Sequence, residues 1–465
     1  MTRFDSSQLA AWTGGRWTTV PVAPLAGFTI DSRQLKPGQV FVALRTAQRD
    51  GHDYLPAAET SGASAAIVAT ANPALKLPQL VVADPLQAFQ TIARQHRLAF
   101  AGSVIGISGS VGKTSTKNLL ARLLGGEEGG VLATEGNLNN HLGVPLTMTR
   151  LELDRHRYAV VEAGISEPGD MAPLAGMIVP DVAITTLVAP AHVAALGSIE
   201  GVAKEKAVLP ASVRPNGVSL FPWQCEQFAP FAELKGKRIV VERADVIRPE
   251  PWDDDRVYYT ITHRDDQTAI VLAYGKPPPL IFNLRRVTDG MAQNAVLAIC
   301  AALWLGVTRD AIQTRLMDWT AAKMRGELRR EGGKLLYVDC YNANPASMAD
   351  ALDAFYAIAP ADQPRILVLG GMEELGAESE MFHRALGRSL RLRSQDRLFV
   401  IGSHATGVAE GARAAGIGAN QINVVSSLDA VRDQLAGFNG AVFLKGSRRY
   451  QLETLLETTK EAAHA

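Results

Sequence analysis

The chain has no surplus of charge of either sign: Lys and Arg together number 47, and so do Asp and Glu. Without a net positive field, and with none of the motifs of nucleic-acid readers, no nucleic-acid partner is expected. Cysteine is scarce, and Cys225, Cys300 and Cys340 have neither metal-ligand nor redox spacing. Such thiols fit packing roles in a reducing compartment. No run of about 18 apolar residues occurs, and the opening residues, Met1 to Gly15, lack a basic segment followed by an apolar one. The expectation is therefore a cytoplasmic protein with no membrane insertion. Internal repeats and low-complexity tails are also missing, which excludes solenoids and disordered scaffolds.

What is present is a globular composition, 47% hydrophobic and 20% charged, punctuated by 41 Gly and 24 Pro. A chain of 465 residues exceeds one ordinary core, since a domain takes about 100 to 200 residues. Short runs rich in Val, Ile and Leu alternate with amphipathic stretches from about residue 103, as in a parallel sheet with crossover helices. Ser103 to Ser108, Tyr158 to Glu162 and Val182 to Val188 are the first of these strands. A second series runs through Leu335 to Asp339, Arg365 to Gly370, Arg397 to Gly402, Ile422 to Val425 and Ala441 to Leu444. Between the two, residues 212 to 290 carry Pro249 to Asp255 and the Pro277-Pro278-Pro279 run, which read as surface loops and less regular strands. The fold class is α/β in three domains: a small α/β domain over 1–97, a central P-loop parallel-sheet domain over 98–318, and a doubly wound Rossmann-like domain over 319–465. The hinge into the last falls near Met317 to Lys323.

The strongest chemical signal is the segment Val104 to Ser115, an apolar strand followed by Gly109-Ser110-Val111-Gly112-Lys113-Thr114-Ser115 and a helical stretch from Thr116 to Leu124. Glycines let successive N–H groups point at one phosphate, and the helix adds the positive end of its dipole. Lys113 supplies a mobile charge and Thr114 a hydroxyl for Mg²⁺. Ile107 stands where the usual first glycine of the loop would be, so the form is G-[ST]-x-GK[ST]. Taken alone, the segment could also be a tight strand-to-helix turn.

Other segments have weaker chemical content. Thr134 to Asn140 is an amide-rich turn that could bind a substrate or merely cap the segment around Leu146. Glu162 ends an apolar strand, where open α/β sheets bind ligands, yet strand-end carboxylates are often just solvated. His192 follows a strand, and Lys204 and Lys206 share a helix, so a loop histidine and solvated charges are the ordinary alternatives. Lys445-Gly446-Ser447-Arg448 follows a strand and opens the last helix, a natural seat for an anionic group.

Taken in order, these segments resemble the Mur ligases and their folylpolyglutamate synthetase relatives, and the resemblance runs from about residue 28 to 452. Thr134-x-Gly136-Asn137-x-Asn139-Asn140 with Gly143-x-Pro145, and Tyr341-Asn342-Ala343-Asn344-Pro345, are similar to the type that adds D-alanyl-D-alanine. The resemblance implies an ATP- and Mg²⁺-dependent, ADP-forming ligase that extends UDP-N-acetylmuramoyl-tripeptide with D-alanyl-D-alanine for peptidoglycan, acting as a monomer. It implies a nucleotide site of Gly109, Ser110, Gly112, Lys113, Thr114, Ser115, Asn294 at adenine, Arg325 at phosphate and Asp339 at ribose. Thr114, Glu162, His192 and a carbamylated Lys206 would hold the metal, and Lys113, Glu162, His192 and Lys206 would carry the chemistry. Substrate contacts would come from Ser32, Arg33, Asn137, Asn139, Asn140, Tyr341, Asn342, Asn344, Lys445, Ser447 and Arg448.

The sequence departs from that pattern at Gly290, where His is common, at Ser166-Glu167, where Asn-His is usual, and at Gly371, where Asp is usual. None of these is a phosphate or metal contact. The competing readings are a Mur-type ligase with another acceptor, against which the Tyr341 to Pro345 segment argues, and a catalytically silent nucleotide-binding partner, against which Lys113, Thr114, Glu162, His192 and Lys206 argue.

Overall fold

The computed structural model describes residues 3–245, 255–275 and 278–456. Of the expected surface loops, residues 249–254 and Pro277 lie outside the described residues. Three sheets organise the chain, of five, nine and six strands among the described residues.

The first sheet pairs Arg16–Trp17, Gln79–Val81, Ala65–Val68, Val40–Val42 and Phe28–Thr29, parallel except at the Arg16–Trp17 edge. Its strands are short because buried Val, Ala and Ile runs are cut by turns. Helix Pro85–Ala99 leaves it, started by Asp84, whose carboxylate accepts from the Leu86 and Gln87 N–H groups, and by Pro85 at the first turn. That helix carries the fully buried Arg97 onto the next unit, where its guanidinium donates to the Ile178 and Val179 carbonyls and to Asp181 Oδ2 at 2.6 Å. Asp181 Oδ2 also accepts from the Val104 N–H, so one carboxylate fixes both the helix and the start of the central strand. A buried cation is tolerated there because every contact it makes is an acceptor.

The central sheet runs in the order Leu280–Arg285, Gln267–Ala273, Arg256–Arg264, Lys237–Arg243, Val218–Pro222, Val182–Thr185, Ser103–Ser108, Tyr158–Glu162, Val131–Ala133. Seven of these pair in parallel, and the four from Val218–Pro222 to Tyr158–Glu162 are buried on both faces, as crossover helices require. Helices Lys113–Leu123 and Asp289–Trp304 cover one face, and Met171–Ile178 and Ile199–Ala211 the other. The stretch expected to be less regular instead holds the antiparallel strands Arg256–Arg264, Gln267–Ala273 and Leu280–Arg285 in continuous register. Their half-polar alternation, which suits a sheet with one solvated face, hid their regularity. The strand expected over Val182 to Val188 stops at Thr185. There the Thr186 N–H makes a last bond to Ser108 O at the end of the neighbouring strand, while its hydroxyl donates to Val111 O in the glycine loop.

The third sheet has the order Glu327–Glu331, Lys334–Asp339, Ala441–Lys445, Arg365–Gly370, Arg397–Ile401, Ile422–Val425, all parallel but for its first strand. Apolar clusters fill both faces, giving the doubly wound arrangement. Between Met317 and Glu327 the chain has neither helix nor strand. No helix of the described residues is long and apolar enough to cross a membrane.

Candidate active site

A cleft of about 1590 Å³ lies between the central and third sheets. One wall is the loop Ser110 to Ser115, which joins strand Ser103–Ser108 to helix Lys113–Leu123. Two glycines make that loop possible. Gly109 has φ +141°, and a Cβ there would meet Thr186 Oγ1 at 1.9 Å; Gly112 has φ +83°, and a Cβ there would meet Asn294 Nδ2 at 2.3 Å. Side chains are excluded at both by sterics and by the left-handed backbone. Lys113 Nζ curls back to donate to Gly109 O at 2.7 Å. Burial pushes its pKa below the ordinary lysine value, while the Glu162 carboxylate opposes the shift and Arg325 adds to it.

Beside the loop, on the neighbouring strand, Glu162 ends Tyr158–Glu162 only 2% exposed. Its Oε1 accepts from Asn139 Nδ2 at 2.8 Å, whereas Oε2 is buried without a hydrogen-bond partner. Leaving a carboxylate oxygen unsatisfied is costly, so this atom is a fitting donor to a cation. Two contacts hold the segment that carries Asn139. The Glu162 N–H donates to Thr134 Oγ1, and the buried Lys117 Nζ donates to Thr134 O at 2.6 Å. Lys117 lies one helical turn beyond Lys113, and burial lowers its pKa too.

On helix Ile199–Ala211, Lys204 is exposed and Lys206 is 1% exposed. Burial pushes the Lys206 amine well below its usual pKa, and the nearby Lys113 charge pushes it further. A neutral amine is the form that adds CO₂, and the product would be an anion facing cations. His192 sits at the start of the short helix Val193–Leu196 with φ +55°, its Nδ1 2.5 Å from Glu374 Oε2. Burial lowers its pKa, the Glu374 carboxylate opposes, and Lys113 and Lys206 reinforce the drop. Among the described residues no three His, Cys, Asp or Glu cluster as a metal site. Glu162 and His192 therefore need other donors beside them, such as a hydroxyl, a modified lysine or ligand oxygens.

The facing wall belongs to the third sheet. Arg325 stacks on the Tyr341 ring, its guanidinium carbon 4.0 Å from the centroid, and its charge is felt at Lys113 and Lys117. Asp339 lines the cleft at the end of strand Lys334–Asp339. Asn344 Nδ2 reaches back to Ser110 O at 3.5 Å, a polar contact that joins the two walls.

Three family models match the chain: "Mur ligase family, catalytic domain" over residues 24–97, "Mur ligase middle domain" over 107–302 and "Mur ligase, glutamate ligase domain" over 324–448. The UDP-N-acetylmuramoyl-tripeptide–D-alanyl-D-alanine ligase of Escherichia coli strain K12 is 30% identical over 94% of both chains. The chain belongs to the Mur ligase family. The ligase of the same name from Mycobacterium tuberculosis H37Rv is 31% identical over 83% of this chain and 81% of its own. Among solved structures, MurF from Acinetobacter baumannii superposes with TM-score 0.84 at 27% identity, covering 98% of both chains. MurF from Thermotoga maritima in complex with ADP gives TM-score 0.77 at 25% identity over 92% of this chain and 96% of that one.

In this Mur ligase the residues expected at the site divide. Ser110, Gly112, Lys113, Thr114, Ser115, Asn137, Asn139, Asn140, Glu162, His192 and Asn294 line the cleft from the central unit. Arg325, Asp339, Tyr341, Asn342, Asn344 and Lys445 line it from the third sheet. Lys206 lies buried close to Lys113 and His192. Ser32, Arg33, Ser447 and Arg448 are not part of the cleft wall. Arg33 pairs with Asp31, the N-cap of its 3-10 turn, and holds that carboxyl down at about 2. Arg448 pairs with Glu453, and the Ser447 N–H donates to Gly371 O.

Several amides and charges in this Mur ligase already have structural partners. Asn344 caps helix Pro345–Ile358, its Oδ1 accepting from the Ser347 N–H, and Asn140 Oδ1 accepts from the Leu142 and Gly143 N–H groups. Lys445 Nζ is 2.6 Å from Asp339 Oδ2, because parallel strands place those residues side by side. Asn294 packs against the glycine loop at Gly112. Two departures from the family pattern have physical explanations. At Gly290 the N–H donates to Asp350 Oδ1 at 2.8 Å, and a Cβ would meet Asp350 Oδ2 at 2.6 Å, so helix Pro345–Ile358 docks where a side chain would stand. At Gly371 a Cβ would lie 2.7 Å from the Tyr450 hydroxyl. The Ser166 and Glu167 N–H groups both donate to Asp170 Oδ2.

Sequence reasoning missed Lys117, Asp350 and Glu374. Lys117 had a signal, its spacing of one turn from Lys113 on a helix. Asp350 and Glu374 had none, since each meets its partner only across the cleft.

Proposed function

We propose that this Mur ligase uses ATP to join D-alanyl-D-alanine to UDP-N-acetylmuramoyl-tripeptide, releasing ADP and phosphate. The observation that carries the reading is 30% identity over 94% of both chains to a ligase of that name. It is supported by a cleft with the glycine loop on one wall and Tyr341 to Asn344 on the other. On this reading residues 1–97 bind the uridine nucleotide, 98–318 bind ATP, and 319–465 complete the site. The reaction runs in the cytoplasm on a single copy of the chain.

The tripeptide carboxylate attacks the γ-phosphorus, the bond to the β-phosphate oxygen breaks, and ADP leaves. The amine of D-alanyl-D-alanine then attacks the acyl carbon to form the C–N bond, the C–O bond to the phosphoryl group breaks, phosphate departs with that oxygen and its electron pair, and the amine nitrogen loses a proton. Two anions must meet in the first step, so the loop N–H groups, Lys113 and Arg325 offset the gathering negative charge. Mg²⁺, when bound, supplies further neutralisation of the phosphates. Glu162 with its unpartnered Oε2, Thr114, His192 and carbamylated Lys206 are the residues that would hold it. Arg325 and Asp339 act from the third sheet, so apposition of the two walls assembles the site and keeps water from the acyl phosphate.

The deciding experiment is phosphate release from ATP with UDP-muramoyl tripeptide, with and without D-alanyl-D-alanine, for wild type and Lys113→Ala. Release that requires both substrates and vanishes in the variant is the expected result. Release indifferent to the dipeptide, or its replacement by a single amino acid as acceptor, would overturn the assignment.

A further inference from the structure

The loop Gly370 to Gly376 leaves strand Arg365–Gly370 at its carboxyl end and is anchored along most of its length within the third sheet's own unit. The Gly371 N–H donates to Ile401 O, and its carbonyl accepts from the Ser447 N–H, each at 3.1 Å. The Met372 N–H donates to His383 Nε2 at 3.0 Å, and His383 Nδ1 donates in turn to Ser379 O at 2.7 Å. Glu373 Oε1 accepts from the Tyr450 hydroxyl at 2.5 Å.

Glu374 breaks this pattern. Its carboxylate leaves the unit and meets His192 Nδ1 on the other wall, while its carbonyl accepts from the Ala194 N–H at 3.4 Å. Glu374 has φ +64° and His192 φ +55°, so two residues that bear side chains face each other in the left-handed region. L-residues rarely sit there, and such strain persists only where the surroundings over-determine it. Next to them Gly376, at φ +64°, is seated so that a Cβ would come 3.1 Å from Ala194 Cα. A plain surface ion pair explains little of this. Glu374 is 61% and His192 27% exposed at the side chain, a setting in which such pairs contribute next to nothing to stability. A carboxylate on Nδ1 does, however, settle which imidazole nitrogen carries the proton and how the ring is turned, leaving the Nε2 lone pair available.

We infer that Glu374 is a positioning residue for the ligation: docking of the third-sheet unit brings its carboxylate to His192 and sets the orientation and tautomer of that imidazole. Assembly of the cleft and readiness of the central wall are thereby linked through one contact. The inference rests on the ligase reading of the same site.

The test compares wild type with Glu374→Ala, Glu374→Gln, His192→Asn and the double variant Glu374→Ala/His192→Asn. Glu374→Ala lowers kcat by about 10- to 100-fold, the range seen when a partner that orients a ligating histidine is lost. KM for ATP and for the UDP-tripeptide changes less than twofold, and Glu374→Gln, which keeps an acceptor oxygen, recovers part of the loss. In the double variant the effects do not add, because both changes remove the same contact. Independently of turnover, ¹⁵N NMR of the imidazole, assigned with His192→Asn, shows the Nδ1-protonated form in wild type and its loss in Glu374→Ala. Additive effects, an unchanged kcat or an unchanged tautomer would overturn the inference. If wild type shows no dipeptide-dependent phosphate release, it is the ligase reading that fails, and the NMR result still decides whether Glu374 orients His192.

Discussion

Replacing Asn139 by Ala separates two roles that its amide could have. Its Nδ2 is 2.8 Å from Glu162 Oε1, and the other carboxylate oxygen is already buried without a partner. The substitution leaves a carboxylate only 2% exposed with neither oxygen held. A hydrogen bond to a charged group contributes about 1.5 to 3 kcal/mol, and burial removes the water that would otherwise compensate. If that energy goes into presenting Glu162 to the cation, the Mg²⁺ concentration for half-maximal phosphate release rises by about 10- to 100-fold, as for other residues that orient metal ligands. KM for the UDP-tripeptide stays within twofold. Asn139→Asp is worse, because two carboxylates at that separation cannot both remain ionised. The assay is phosphate release titrated with Mg²⁺ at saturating substrates, with Mn²⁺ binding followed by electron paramagnetic resonance as a turnover-free check. An unchanged metal midpoint together with a raised KM for the UDP-tripeptide would refute the reasoning and make Asn139 a substrate contact.

Two further outcomes are expected from contacts at the edges of the cleft. Gly290→Ala drives a methyl to 2.6 Å from Asp350 Oδ2 and breaks the N–H bond to that half-buried carboxylate, costing about 1 to 3 kcal/mol; KM for ATP rises and the 318–326 connection becomes more susceptible to protease, and wild-type behaviour in both measurements would show that this docking is dispensable. His383 is held neutral, accepting at Nε2 and donating at Nδ1, and burial lowers its pKa below 6.5; the native pKa lies below the unfolded one, so its contribution is complete above about pH 6.5 and fades as pH falls through the native value. His96, also depressed by burial, adds to the same loss, so the thermal midpoint of wild type drops on acidification and His383→Gln flattens part of that slope; an unaltered slope would assign the loss elsewhere.

Much of this protein was legible because the chemistry is local. The glycine loop reads directly, since Gly109 and Gly112 sit where backbone must approach backbone, and Lys113 and Thr114 follow on the helix they open. Buried parallel strands read well for the same reason: an apolar run bounded by turns has few other uses. The antiparallel strands from Arg256 to Arg285 read only as surface loops and less regular strands, because half-polar alternation next to Pro-rich sequence hides their regularity. Amides have a second role that the sequence shows only in part. Asn344 and Asn140, expected to touch substrate, line the cleft but also engage Oδ1 locally, Asn344 in capping helix Pro345–Ile358 and Asn140 with the Leu142 and Gly143 N–H groups; the Asn344-Pro345 pair was a capping signal open to reading.

By itself, then, the sequence determined the three-domain α/β organisation, the glycine turn between strand and helix and the family, because these depend on spacing within short segments. Only the tertiary structure decided which charges were already engaged. Lys445 meets Asp339 through strand register, Arg97 meets Asp181 through helix docking, and Glu374 meets His192 through apposition of two units. A side chain's chemistry is written in its residue type, but its partner is set by the packing of elements distant in the chain, and burial decides how strongly the two are bound to each other.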